Sequence, residues 1–187
     1  MSASSHGTPK LITAIIAIIV IAIFSEFFRL GDTPNIDLTG KDKNRVERQT
    51  GYTIKKVVDG DTVDIVKDDI VTRVRLIGVN TPETVDPRKE VECFGKEASA
   101  YTKKEIDGAD VSIETDSTQS TYDRYGRMLA YIYDENGEML NRKLIANGYA
   151  YEYTYDTPYK YQKEFKSLQE FAKNEKRGLW APGVCGY

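Results

Sequence analysis

The sequence predicts an α+β fold, a small five-stranded barrel with about three helices, preceded by an N-terminal hydrophobic helix. Three observations predict it. Short runs rich in β-branched residues are divided by Asp-Gly and Asn-Gly turns; amphipathic stretches at helical spacing interrupt and follow them; and an uncharged run from Leu11 to Phe24 stands apart at the amino end. At ~100–200 residues per domain, 187 residues hold one globular unit with appendages. With 40% hydrophobic and 29% charged residues the chain is neither low-complexity nor wholly disordered.

The elements follow in order. A short tail (1–10) leads to LITAIIAIIVIAIF and on to Phe28, apolar on every face. It is read as a membrane anchor over 11–28, with a cleaved signal segment as the alternative. Lys10 before the run places the amino terminus inside and the rest of the protein outside the cytoplasm, either anchored or secreted. Residues 29–50 are polar, Gly- and Pro-broken and without period, a flexible linker to a domain at 51–187. Tyr52–Val66 reads strand, turn, strand about Asp59-Gly60, and Val71–Val79 is a third strand. Phe94–Ile106 is a helix, Asp110–Thr115 a strand, and Arg127–Tyr133 the fifth strand, ended by Asn136-Gly137. Met139–Asn147 is a short helix capped by Gly148, and Tyr159–Lys176 an amphipathic helix. Five short strands with a helix after the third suit a small, partly open Greek-key barrel of the OB type.

Composition excludes much chemistry. The single histidine, His6, lies in the first ten residues, which removes histidine triads and histidine-zinc sites. Two cysteines with no Cys-x-x-Cys spacing, Cys93 and Cys185, exclude a zinc ribbon; in an exported domain they would form one long-range disulfide. Net charge is −3, and −4 beyond residue 30, so any nucleic-acid contact needs a local cluster of cations or a metal.

Three segments concentrate carboxylates and arginines: VVDGDTVDI (57–65), RVRLIGVNTPET (73–84) and TYDRYGRMLAYIY (121–133). Asp61 shares strand parity with Val63 and Ile65, which sets a carboxylate at the end of an inward column. Arg73 and Arg75 alternate with Val74 and Leu76 and face away from it. Asn80-Thr81-Pro82-Glu83 is expected to form a turn holding Glu83 just past a fixed proline torsion. Without histidine, a carboxylate is the available general base and guanidiniums are the available cationic groups.

These motifs, in this order, resemble the staphylococcal nuclease family, over roughly Tyr52–Trp180: Asp59–Thr62, Arg75–Glu83 and Asp123–Tyr131 meet its pattern. The resemblance implies an OB-fold endonuclease that uses one Ca²⁺ ion to hydrolyse DNA and RNA, single strands preferred, to 3′-phosphate products. It implies Asp61, Asn80 and the Thr81 carbonyl as metal ligands, Glu83 as base, and Arg75 and Arg127 as phosphate clamps. Arg124 and Tyr125 would contact the nucleotide, with Tyr153 or Tyr155 from the tyrosine-rich stretch 149–161; packing against the last helix is the other reading of those tyrosines. Gly178 would cap that helix and Trp180 pack on the domain. Asn80 stands where the family pattern has an aspartate, which predicts weaker calcium affinity or a shifted metal preference. The alternative is a non-catalytic OB module at the membrane surface that binds nucleic acid or another partner. A monomer is expected.

Overall fold

Alternation becomes strands in this chain wherever both parities have somewhere to go. The structure, a computed structural model, describes residues 48–88 and 90–186. The expected tail, the hydrophobic helix at 11–28 and the linker through residue 47 lie outside the described residues. Among the described residues no helix is long and apolar enough to cross a membrane.

The strands are β1 (Gln49–Asp59), β2 (Thr62–Lys67), β3 (Ile70–Leu76), β4 (Val79–Asn80), β5 (Asp110–Glu114), β6 (Met128–Tyr133) and β7 (Tyr151–Glu152). The helices are α1 (Gly95–Ile106), α2 (Leu140–Ala146) and α3 (Gln162–Asn174), followed by a 3₁₀ turn at Gly178–Trp180. Five strands form a closed barrel in the order β1-β2-β3-β6-β5, with β3 and β6 parallel. Closure comes from β1 against β5, where Gln49 pairs with Ile113 and Tyr52 with Val111. That pairing starts β1 inside the stretch read as linker, since backbone hydrogen bonding rather than side-chain pattern carries its first residues. The strand order is that of an OB barrel, and α1 sits between its third and fourth barrel strands.

The inward column is Val57, Val63, Ile65, Val74, Leu76, Ile113 and Ile132, all buried. Ala98, Thr102 and Ile106, four residues apart, form the buried face of α1. Buried Asn141 of α2 accepts the Ile132 N–H at 3.1 Å and donates to the Ile77 carbonyl at 2.9 Å, clipping β6 to the residue that follows β3.

Three local expectations shift. The predicted third strand ends at Leu76, because Gly78 takes φ +74 and the chain restarts as β4, where Asn80 pairs with Tyr151. The turn expected over Asn80–Glu83 is absent: the Asp61 carboxylate accepts the Thr81 N–H, the segment stays irregular, and the bend falls at Thr84 and Val85. Gly178 does not cap the last helix, which closes at Glu175 with Lys176 at φ 52. Gly178 instead lies against Gly148, and Leu179 N–H reaches the Gly148 carbonyl at 2.9 Å. Cys93 and Cys185 form a disulfide across 92 positions, tying the C-terminal segment to the start of α1. Closing a loop of that length contributes up to ~4–5 kcal/mol in the chain-entropy account.

Candidate active site

The β1–β2 turn and the β4 end meet because Gly60 allows it. A Cβ on Gly60 would lie 2.7 Å from the Thr81 side chain, and Thr102 of α1 donates its hydroxyl to the Gly60 carbonyl at 2.7 Å. The turn therefore delivers Asp61 to the start of the Thr81–Glu83 segment. Nearly buried Asp61 accepts the Thr81 N–H at 3.0 Å and the Thr62 hydroxyl at 2.9 Å. Arg75 Nη2 completes the cluster, 3.0 Å from Asp61 Oδ2 and 3.2 Å from Asn80 Oδ1. Its other nitrogen, Nη1, donates to the Leu76 and Val79 carbonyls. Arg75 does face away from the apolar column, yet it is largely covered by these partners.

Glu83 stands on the irregular segment after β4. Its Oε1 accepts the N–H groups of Val85 at 2.7 Å and Asp86 at 3.1 Å, and its carboxyl also bonds that of Asp59. Burial opposes ionisation of Glu83, but the Val85 donor, Asp59 and the remaining N–H groups outweigh it and hold its pKa below the usual 4.5. Asp59 moves the other way, raised first by burial and further by the charge of Asp61 and by Glu83. The environment thus favours the ionised form of Glu83 and disfavours that of Asp59. Asp59 is held by the Thr84 hydroxyl at 2.6 Å and the Gly60 N–H at 2.8 Å. The sequence reading left it as part of a turn; its position one strand residue from the mouth was the available signal.

Arg127 precedes β6, whose Leu129 is in register with Arg75, so alternation sets Arg127 and Arg75 on the same barrel face. Asp123 organises that turn: it accepts the Arg127 and Tyr125 N–H groups, each at 2.9 Å, and Arg127 Nε at 2.6 Å. Burial raises the Asp123 pKa, but these donors prevail and lower it.

Beside this turn lies an exposed aromatic face. Arg124 donates to the Tyr125 hydroxyl at 2.8 Å and lies over its ring, and Tyr153 lies 6.3 Å from Tyr155, ring to ring. Tyr125 and Tyr155 are 68% and 62% exposed, against 44% for Tyr153. The other tyrosines of the 149–161 stretch pack. Tyr149 stacks on Tyr101 at 4.1 Å, Tyr151 meets Trp180 edge-on at 5.3 Å, and Tyr159 and Tyr161 flank Phe165.

The donors around Asp61 are all oxygens: two carboxylates within three residues, the Asn80 amide and backbone carbonyls. Buried Thr81 Oγ1 has no hydrogen-bond partner among the described residues. Such a set fits a hard cation such as Ca²⁺ and does not fit zinc or copper. Among the described residues no group of three or more His, Cys, Asp or Glu side chains forms a metal cage, consistent with an amide at position 80.

Comparison with known proteins agrees with this geometry. Residues 73–182 match the family described as Staphylococcal nuclease homologue. The chain is 37% identical over 174 residues to the thermonuclease of Staphylococcus hyicus, covering 93% of this chain and 97% of the relative. It is 39% identical over 173 residues to the thermonuclease of Staphylococcus intermedius, covering 91% and 98%. Endonuclease YncB of Bacillus subtilis is 31% identical over 144 residues, covering 76% of this chain and 67% of the relative. By matched length, by motif and by barrel order, the chain belongs to the staphylococcal nuclease family.

Proposed function

We propose that the chain is a Ca²⁺-dependent endonuclease that hydrolyses DNA and RNA, single strands preferentially, leaving 3′-phosphate ends. The observation that carries this reading is the cluster of Asp61, Arg75, Asn80 and Thr81 at the barrel mouth, with ionised Glu83 two residues beyond it. A pure binding module has no use for a base beside two guanidiniums.

The residues divide the work. Asp61, Asn80 Oδ1 and the Thr81 carbonyl would hold Ca²⁺, which when bound supplies positive charge to a phosphoryl oxygen. Glu83 takes the proton of the attacking water. Arg75 and Arg127 stabilise the phosphoryl oxygens as charge builds on them, Arg127 through the nitrogens that Asp123 leaves free and Arg75 through its Nε–H and its positive charge, its terminal nitrogens being held by Leu76, Val79, Asp61 and Asn80. Arg124, Tyr125 and Tyr155 seat the neighbouring base and sugar, where one stacked base is worth ~1–3 kcal/mol. Export from the cytoplasm, through the hydrophobic segment at 11–28, is supported by the Cys93–Cys185 disulfide, since such bonds persist in oxidising compartments.

The test is incubation of the 187-residue chain with denatured DNA, with Ca²⁺ and with a chelator, beside Glu83→Gln. Metal-dependent cleavage to 3′-phosphate ends, lost in Glu83→Gln, is expected. Intact DNA at every calcium level and with other divalent ions, while the chain still binds single strands, would replace this reading with the binding module.

A further inference from the structure

Asp61, Arg75 and Arg127 are held at or beside barrel strands, whereas Glu83 stands on the irregular segment between β4 and α1. A base in that position needs its own anchor. The structure supplies one across the neck of the segment. Glu83 donates its N–H to Glu92 Oε2 at 3.0 Å, and its carbonyl accepts the Glu92 N–H at 2.9 Å. Glu92 thus grips the backbone of Glu83 on both sides, and its own carbonyl takes the N–H of Gly95, the first residue of α1, at 3.0 Å. The residue after Glu92 is Cys93, bonded to Cys185. Phe94 follows with φ 67 and its ring stacked on Tyr149 at 5.5 Å. A bulky side chain holds that left-handed conformation only where its surroundings impose it.

We propose that Glu92 is a positioning residue for Glu83, and that the Cys93–Cys185 disulfide is the fixed point against which it works. The inference rests on the reading of Glu83 as base and deepens it. The Glu83 carboxylate accepts from Val85 and Asp86, N–H groups that travel with the same segment. Asp59, the last residue of β1, holds the following residue through the Thr84 hydroxyl at 2.6 Å, and the neck adds the tie on the Glu83 backbone itself. Losing the Glu92 acceptor frees the segment at its base, and a displacement on the order of 1 Å in a catalytic group costs ~100-fold in rate. Substrate seating by Arg124, Tyr125 and Tyr155 lies on another loop and is left as it was. The signature is a fall in kcat at constant KM.

The experiment compares the full chain with Glu92→Ala, Glu92→Gln and the Cys93→Ser/Cys185→Ser double variant, all well below their unfolding midpoints. Cleavage of single-stranded DNA at saturating Ca²⁺ is measured together with hydrogen exchange at the Glu83 amide. Glu92→Ala should lose ~10-fold or more in kcat with KM within about twofold, and its Glu83 amide should exchange faster. Glu92→Gln, which keeps an acceptor oxygen, should recover most of the rate, and the double serine variant should move with Glu92→Ala. Wild-type kcat in Glu92→Ala, a glutamine variant no better than alanine, or unchanged Glu83 exchange would each overturn the proposal. No cleavage by the unaltered chain would sink the nuclease reading instead, and the amide exchange would still decide the neck on its own.

Discussion

Asn80→Asp is the substitution that most directly interrogates the site. The amide oxygen of Asn80 lies 3.2 Å from Arg75 Nη2, so a carboxylate placed there faces two claimants, the guanidinium and the cation proposed to sit between Asp61 and Thr81. Two unit charges at that separation attract by about 5 kcal/mol at an effective dielectric near 20. A dication gains about twice as much, so the new charge favours the metal over Arg75. Desolvation of the added carboxylate and its repulsion from Asp61 remove most of the difference, and a net gain of ~1–2 kcal/mol remains. That corresponds to roughly five- to thirty-fold tighter calcium binding. Calorimetric titration of calcium into the two proteins measures it, and the calcium concentration giving half-maximal cleavage should fall in parallel. Equal or weaker affinity in Asn80→Asp would refute the placement of the metal at residue 80, and with it the account of why this chain departs from its family there.

Other consequences are open to simpler measurement. Tyr155→Ala should raise KM for single-stranded DNA by about five- to thirty-fold, the loss of one ~1–2 kcal/mol stack, and Tyr153→Ala should raise it less, since Tyr155 is the more exposed ring. Burial raises the pKa of Asp116, but the N–H groups of Lys160 and Thr118 and the Tyr131 hydroxyl outweigh it and set the pKa below the usual 3.8. Its contribution to stability is therefore present above pH 3.8 and lost as pH falls through the lowered folded value. Asp116→Asn should accordingly cost ~1–3 kcal/mol in denaturant unfolding at pH 7, and the gap from the unaltered chain should close toward about pH 2. Gly148→Ala meets φ +72 and would place a Cβ 2.2 Å from the Arg177 carbonyl oxygen. A loss of about 3 kcal/mol and a drop in Tm of about 10 °C should follow, readable by circular dichroism.

What the sequence disclosed and what it withheld have one physical origin. Period-two alternation places Asp61 at the end of the Val63 and Ile65 column and turns Arg75 outward, because side-chain parity is a local property of a strand. Glu83, Arg127 and Tyr125 are assigned through the resemblance of their motifs to the family. Asp59, Glu92 and Asn141 were not assigned, since their roles depend on which polar group meets which. Asn141 reaches Ile77 across 64 positions, and Thr102 reaches Gly60 across 42. The same limit misplaced the Asn80–Glu83 turn: Pro82 does restrict the backbone, yet the Thr81 N–H is taken by Asp61, 20 positions earlier, and that distant acceptor decides the local path. The tyrosine stretch divides for a related reason. Tyr149, Tyr151, Tyr159 and Tyr161 have aromatic partners on α1, α3 or the C-terminal segment, and Tyr153 and Tyr155 pair mainly with each other.

The two arginines show how the barrel prepares a site for a charge it does not itself carry. Arg75 is fixed by Asp61 and two backbone carbonyls, and Arg127 by Asp123, so each cation has its own carboxylate on the same local framework. Each pairing spends some of the positive potential a phosphate would feel. In exchange the guanidiniums do not have to be oriented during the reaction, and reorganisation is the larger cost where charge develops suddenly. The carboxylate base is treated differently: its donors are backbone N–H groups of a segment outside the barrel, which Asp59 ties to β1 through the Thr84 hydroxyl. Fixed cations and a base on a separately anchored segment make the rate more sensitive to that anchor than to any single strand contact. Substitutions at the neck should therefore act on kcat, while those on the Arg124–Tyr155 face act on KM.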